Sequence, residues 1–519
     1  MEMSDIQKTS QKLIPSTVNS AQPEKTSYRR ILTHSSIYIF GMLISKAVGF
    51  IMIPIYTHYL TPADYGVLEL LTMTSDVIAM LIGVGLAQSV LRFYYNYESQ
   101  KERNLVVSTA LISGSAIFIA VFGALVFASG SVSDLVLGAD GSAEHFKIIF
   151  LTMMFFGGIE IPLVFLRAQQ RSVYFVVINL VKLIIQLSLN IYFIVVLQWG
   201  IAGVLYSGLI ATIAVGCFLT IRTLFETGIK FSSRIFSELL YYGYPLIFTN
   251  LGAFILTYSD RYFLKYFSNL SEVGIYSLGY KFGMMVSILL LAPFQQFWTA
   301  EMFAIAKRDD ASKVFRDFFT YSTFFSILFC FGLSLYIKEL IEIIAVESYW
   351  SAYAIVPFIS LAYIFIGMHG LAICGILIEK KTKFIAYSTA WAVIANIALN
   401  FALIPRWGAI GAAVATIIAF WIRLYTAYRY SQKLMPLKYE WGRINAALSL
   451  AVFMVIVAYS LPIDNFAARI TLDTIILLTY PMILYLAGWF HQKEKELIMN
   501  FARHPINLIQ AVKSFRNGT

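Results

Sequence analysis

Charge is scarce in this chain: Asp, Glu, Lys and Arg together make up 13% of its 519 residues. Soluble globular domains carry roughly 25%. Half that density excludes a soluble enzyme, a nucleic-acid binder and a disordered chain. Cysteine is nearly missing too. Cys217, Cys330 and Cys374 lie in separate apolar runs, which supports neither a disulfide framework nor a thiolate metal site. The six His are scattered, and there is no HExxH, no phosphate-binding glycine loop, no CxxC pair and no Ser/His/Asp arrangement. Nothing therefore points to a catalytic residue, a metal centre or an enzyme. An apolar leader is absent as well. Residues 1–33 are polar, lack the apolar core of a signal peptide, and read as a disordered cytoplasmic tail.

What the chain does have is apolar length, with 59% of its residues hydrophobic. A helix needs ~20 apolar residues to cross the hydrocarbon core, and about fourteen such segments can be marked between residues 35 and 490. The expected fold is an all-α polytopic membrane protein. Charge tests the count, because Lys and Arg collect in cytoplasmic loops. With the N-terminus inside, 30 of the 39 Lys and Arg fall on cytoplasmic segments, six outside and three within spans. The alternation predicts two cytoplasmic termini. External loops stay under about twenty residues, too short to hold the chemistry of a membrane glycosyltransferase or polymerase.

Shifting the sequence by 208 residues aligns several landmarks. Ala63 to Val67 falls on Ser271 to Ile275, Gln88 on Gln296, and Trp199-Gly200 on Trp407-Gly408; Asn190 and Asn400 match at 210. The shift spans six helices, an even number, so the copies share one orientation. The expected architecture is two parallel six-helix lobes related by a pseudo-twofold along the membrane normal, with a cavity between them and two further helices. The boundaries are 34–230 for the N-lobe, 231–435 for the C-lobe and 436–490 for the last two helices. Residues 491–519 alternate charged and apolar residues and read as an amphipathic cytoplasmic tail.

Three stretches carry a resemblance to a known family. They are Gly41 through Tyr56 to Leu60-Thr61-Pro62-Ala63-Asp64-Tyr65-Gly66, Ser259-Asp260-Arg261-Tyr262-Phe263-Leu264 followed by Glu272 to Ser277, and Asn400 through Pro405 to Ala413. Over about residues 30–490 the chain resembles the polysaccharide transporter (Wzx-type oligosaccharide flippase) branch of the multidrug/oligosaccharidyl-lipid/polysaccharide exporter superfamily. The resemblance implies a flippase in the cytoplasmic membrane. It would move a polyprenyl-pyrophosphate-linked oligosaccharide by alternating access, for surface polysaccharide biosynthesis. It also implies membrane lipids, a polysaccharide polymerase and glycosyltransferases as partners, and H+ or Na+ as coupling ion, with no other cofactor. The alternatives are other branches of the superfamily, a lipid II flippase or a cation-coupled drug antiporter.

Charges at bilayer depth are expensive and normally face a cavity or a partner. They supply the site candidates. Lys46, Arg261 and Lys281 are expected to bind the anionic headgroup, since a cationic cavity with low-dielectric walls attracts a pyrophosphate. Asp76, Glu69 and Asp260 are the candidate coupling carboxylates. The bland alternatives are ion pairs that brace helices: Asp260 with Arg261, and Glu160 with Lys182. His369 and Asp473 are also placed within spans.

Overall fold

The computed structural model describes residues 49–496, apart from 84, 139, 140, 464 and 493. The expected N-terminal tail, Lys46 and nearly all of the last tail lie outside the described residues. In chain order the helices are α1 (Ile53–Tyr59), α2 (Pro62–Ile82), α3 (Leu86–Asn96), α4 (Gln100–Phe127), α5 (Ser129–Val136), α6 (Ala143–Ala168), α7 (Ser172–Ile191) and α8 (Gly200–Thr227). Then come α9 (Ser233–Phe267), α10 (Leu270–Val286), α11 (Ala292–Ile305), α12 (Ala311–Ile344), α13 (Val356–Ala372), α14 (Cys374–Ile378), α15 (Lys383–Leu434), α16 (Trp441–Ser460) and α17 (Phe466–Leu486). No strand occurs among the described residues. Among the described residues ten helical stretches are long and apolar enough to cross a membrane, or eleven with the bent α9 taken as one span, against the fourteen expected over the whole chain. The chain is a multi-pass membrane protein.

The 52-residue α15 is two antiparallel spans in one run. It breaks at Gly408, where φ is +52°. Gly200, its counterpart at the 208-residue shift, has φ +55°. Both Trp-Gly joints therefore turn through the left-handed region that only glycine enters without strain. The same shift relates two helix starts. Thr61 and Asp64 form a capping box on α2, and Asn269 accepts the backbone N–H of Glu272 (2.9 Å) on α10. It also relates two breaks. The span of α2 and α3 is interrupted at Gly83–Gly85, and that of α10 and α11 by a π turn at Ser287–Leu291.

α4, α6, α8 and α3 pack on one another in the first copy, and α9, α10, α12, α13 and α15 in the second. The two copies meet where α2 lies against α10, and again where α9 lies against α2, α3 and α4. At that seam Gly66 faces Gly274. A Cβ on Gly66 would lie 2.1 Å from the Leu270 carbonyl oxygen, and one on Gly274 would lie 1.9 Å from that of Pro62. Pro62 and Leu270 are themselves 208 residues apart, so the contact is reciprocal about the pseudo-twofold. Tyr65 and Tyr349 close edge-to-face beside it, and the Tyr349 hydroxyl donates to the Leu60 carbonyl (3.0 Å). The far halves differ. α3 exposes Gln88, Leu91, Arg92 and Tyr95, and α11 exposes Pro293, Gln296 and Thr299. The two spans are thus joined at the Pro62 end and stand apart at the other, where α9 packs on α3 instead and the Ser89 hydroxyl donates to the Leu239 carbonyl (2.9 Å).

α16 and α17 follow the repeat. Arg469 on α17 binds Asp473 (3.0 Å) and lies 3.6 Å from Glu339 of α12, all three buried. This triad ties the last helix to the second copy and accounts for the carboxylate of Asp473 inside a span.

Candidate functional site

Just below the seam, side chains from both copies converge. Lys281 of α10 pairs with Glu69 of α2 and donates to the Tyr65 hydroxyl (2.7 Å), with its ammonium 4.6 Å from the centre of that ring. The Lys281 side chain remains 38% exposed while Glu69 is 15% exposed. The pair is therefore anchored on one side and open to the inter-lobe space on the other. Its spacing follows from helix geometry. Tyr65 and Glu69 are four apart and project from one face of α2.

One turn further on, Thr74 and Tyr262 of α9 hydrogen-bond across the lobes (3.0 Å). Asp76 is exposed at this depth, within electrostatic range of Glu69, Tyr258 and Tyr262. It makes no ion pair among the described residues. Tyr56 of α1 lies within electrostatic range of Lys281 and accepts from Asn190 of α7 (2.8 Å), which Ser207 of α8 in turn binds. The result is a polar chamber with a fixed cation, a free carboxylate and a tyrosine wall (Tyr56, Tyr65, Tyr258, Tyr262). No group of three or more His, Cys, Asp or Glu converges among the described residues.

The structure brings Glu69, Asp76 and Lys281 into one region and buries Asp260 and Arg261 behind Tyr258, whose ring centre lies 5.6 Å from the guanidinium. Arg261 was expected at the ligand, but it is 2% exposed inside the second copy. Its guanidinium binds Asp260 (2.6 Å) and the Thr257 carbonyl (2.6 Å) and sits 3.8 Å from the centre of the Tyr280 ring. The Tyr276 hydroxyl donates to the other oxygen of Asp260. Adjacent residues on a helix diverge by about 100°, yet the long Arg side chain folds back to its neighbour. A low-dielectric pocket rewards that neutral pair. Asp260 is therefore committed to Arg261, not free in the chamber. Replacing Arg261 with Met should strand the carboxylate at a cost of about 3–5 kcal/mol. A marked drop in the unfolding temperature of the purified protein checks this, and the Asp260→Asn, Arg261→Met double variant should recover part of it.

Lys182 and Glu160, read as potential partners, form no ion pair with each other. The sequence reading missed the tyrosines of the chamber. Tyrosine is abundant throughout, at 32 residues, and a cavity tyrosine looks like an interfacial one. It also missed Arg92 of α3, whose guanidinium lies 4.3 Å over the ring of Tyr242 on α9. That residue reads as an ordinary loop cation. A separate apolar cavity of about 580 Å³ lies between α12, α13 and α16, lined by Cys330, Phe331, Tyr353, Pro357 and Tyr459 among others.

Comparison with known proteins places this geometry. A family model described as "Polysaccharide biosynthesis protein" matches residues 31–298. A Shigella flexneri protein described as "Putative O-antigen transporter" is 21% identical over 406 residues, covering 74% of this chain and 94% of that protein. An "Uncharacterized membrane protein" of Haemophilus influenzae is 22% identical over 271 residues, covering 50% of this chain and 63% of its own length, so the match spans less than two thirds of that relative. Among solved structures, lipid II flippase MurJ in an inward closed conformation matches with a TM-score of 0.71 at 16% identity, covering 87% of this chain and 99% of that one. An inward-facing multidrug resistance MATE transporter of the MOP superfamily matches with a TM-score of 0.59 at 14% identity, covering 78% and 98%. The fold is shared with both.

Proposed function

This chain belongs to the polysaccharide biosynthesis protein family, and from that premise we propose that it is a flippase for a polyprenyl-pyrophosphate-linked oligosaccharide. In this reading it sits in the cytoplasmic membrane with the Pro62 end outside and both termini in the cytoplasm. A vestibule between α3 and α11 at the far end then opens toward the cytoplasm. The observation that carries the proposal is Lys281, a cation held by Glu69 and Tyr65 yet open to the space between the lobes. A pyrophosphate entering from the open end meets that ammonium where water is limited and Coulomb attraction is strong. The tyrosine wall offers aromatic faces and hydroxyls to sugar rings. Lys46 is proposed to contribute a second cation from the first span.

Transport follows if the Gly66–Gly274 seam opens while the vestibule closes. The lobes rock about the chamber and expose the headgroup to the other side. Asp76, free of any cation among the described residues, is the carboxylate we assign to coupling with H+ or Na+; Glu69 is engaged by Lys281 and joins only when that pair opens. The similarity to a MATE transporter supports the fold, not a drug substrate. A fixed cation at the chamber's apex favours an anionic cargo over a cationic drug.

The test is a deletion strain complemented with the wild-type gene. Its lipids are extracted, and polyprenyl-pyrophosphate oligosaccharide is quantified beside surface glycan. The expected result is accumulation of the lipid-linked unit with loss of the glycan, reversed on complementation. Unchanged levels of both would overturn the flippase reading, and altered drug susceptibility in that case would favour the antiporter branch.

A further inference from the structure

The helices that follow the repeat leave a gap in the bundle. α16 packs on α12 and α17 and stands off from α15. The gap is a groove made of two cavities, of about 580 Å³ and 480 Å³. Ile327, Ile364 and Leu448 line both, so the two are continuous. Along α16 the lining runs from Trp441 to Ser460. That is about 30 Å at 1.5 Å per residue, the thickness of the hydrocarbon layer of a bilayer. No Asp, Glu, Lys or Arg lines the groove. Its rim is exposed, with Trp421 and Tyr425 on α15 and Val452 and Ile456 on α16. The chamber helices α2, α9 and α10 contribute no lining residue.

An apolar groove open along a membrane span holds hydrocarbon. Water finds few hydrogen-bond partners on such walls, and an empty groove forfeits the dispersion contacts of its lining. What selects one lipid over another is the mouth. At the Trp441 end, cytoplasmic in the orientation proposed above, the Trp441 indole donates to the Tyr428 hydroxyl (3.3 Å) and bridges α16 to α15. Trp421 and Tyr425 stack with ring centres 5.3 Å apart. One turn beyond, the Arg429 guanidinium lies 5.9 Å from the centre of the Tyr425 ring. Arg429 is exposed and forms no ion pair among the described residues. Asn445 lines the groove one turn inward from Trp441. The opposite mouth differs. There Arg469 lies 5.9 Å from the Tyr459 ring, but Asp473 and Glu339 already neutralise it.

We propose that this groove binds an anionic phospholipid of the cytoplasmic leaflet, with one acyl chain between α15 and α16 and the phosphate at Arg429. The chain enters beside Trp441 and passes the joint at Leu448, about 10 Å further along α16. A guanidinium meets two phosphate oxygens with parallel hydrogen bonds, and its position over Tyr425 holds it at the mouth. The Asn445 amide can donate to an ester carbonyl below the headgroup. The lipid completes the packing that protein contacts leave open and ties α16 to the second copy. The polyprenyl tail of the cargo is the competing hydrocarbon. A headgroup held at Lys281 is separated from the groove by α13, which packs on α10 and lines the groove. The site therefore rests on the membrane orientation and not on what the protein carries.

The experiment uses the full-length protein in phosphatidylcholine nanodiscs. These are doped, at equal mole fraction, with phosphatidylglycerol or phosphatidylcholine brominated along one acyl chain. Bromine quenches tryptophan on contact, and the signal read is the emission that Trp421→Phe removes. Brominated phosphatidylglycerol should quench it roughly fivefold more effectively than brominated phosphatidylcholine, one cation's share of the attraction to an anionic lipid. Arg429→Gln should bring the two lipids close to parity. Lys101→Gln, an exposed cation at the start of α4 in the first copy, should leave the preference intact. Polyprenyl phosphate added at the same mole fraction should not relieve the quenching. Equal quenching by the two phospholipids, a preference that survives Arg429→Gln, or one that falls equally in Lys101→Gln would each overturn the proposal. Displacement by polyprenyl phosphate would overturn it too, and would assign the groove to the tail of the cargo.

Discussion

Gly274→Ala should lower transport by about a hundredfold or more while the protein remains at its normal level in the membrane. The added methyl group would sit 1.9 Å from the carbonyl oxygen of Pro62, less than two thirds of ordinary contact distance. Both partners are backbone of capped helices, so neither can swing aside as a side chain would. Overpacking in a rigid interface costs about 1–3 kcal/mol or more, and every 1.4 kcal/mol moves a two-state equilibrium tenfold. The penalty falls only on the state in which α2 and α10 touch. The variant should therefore populate the form open at the Pro62 end, and the cycle should stall for want of the closed one. Gly66→Ala should behave alike, because its own Cβ would meet the Leu270 carbonyl at 2.1 Å. The check has two arms. Surface glycan and lipid-linked intermediate report transport. A cysteine in place of Asp76, in a background without the native cysteines, reports conformation through an impermeant maleimide added from the Pro62 side. Labelling should be faster with Gly274→Ala than without it. Normal transport in both glycine variants would mean that the seam is not a gate.

This seam shows what the sequence could and could not say. The 208-residue repeat was legible because capping residues and turn glycines leave discrete marks: Thr61/Asn269, Gly66/Gly274 and Gly200/Gly408 stand in register. That those glycines touch each other is a three-dimensional fact. A repeat that is parallel about an axis normal to the membrane must bring some pair of equivalent positions to that axis, yet the spacing does not say which. Hydropathy likewise marked about fourteen spans, of which ten or eleven pass as spans among the described residues, and it placed charges within them poorly. Lys281 and Glu69 lie 212 positions apart and meet only through the α2–α10 packing. Arg261 looked like a ligand because it is a cation on a span expected to line the cavity, but the adjacent Asp260, weighed as its alternative partner, takes it. In each case the helix face decides the role, and in a helix that is apolar nearly all round the hydrophobic period is too weak to reveal the face.

Lys281→Gln is the second variant expected to have a large effect, lowering export at least ~10-fold, the equivalent of about 1.4 kcal/mol of lost headgroup attraction. A bare loss of function would not identify the cause, because the same substitution strands Glu69 in a partly buried site. The double variant Lys281→Gln, Glu69→Gln separates the two. If the ion pair only braces α2 against α10, removing both charges relieves the stranded carboxylate, and the double variant should export better than the Lys281→Gln single. If the ammonium receives the pyrophosphate, the double variant should remain as impaired as the single, since no cation has been restored. Glu69→Gln alone then becomes the informative control. It frees Lys281 from its partner, leaving the Tyr65 hydroxyl to hold it, and should retain binding of the lipid-linked unit even if turnover changes. The readouts are surface glycan in the deletion strain and retention of the lipid-linked oligosaccharide by purified protein. Pairwise coupling between the two sites, obtained from all four combinations, measures how much of Lys281's contribution passes through Glu69. Full rescue by the double variant would reduce Lys281 to a brace and leave Lys46 and Arg92 as the cations to examine at the headgroup.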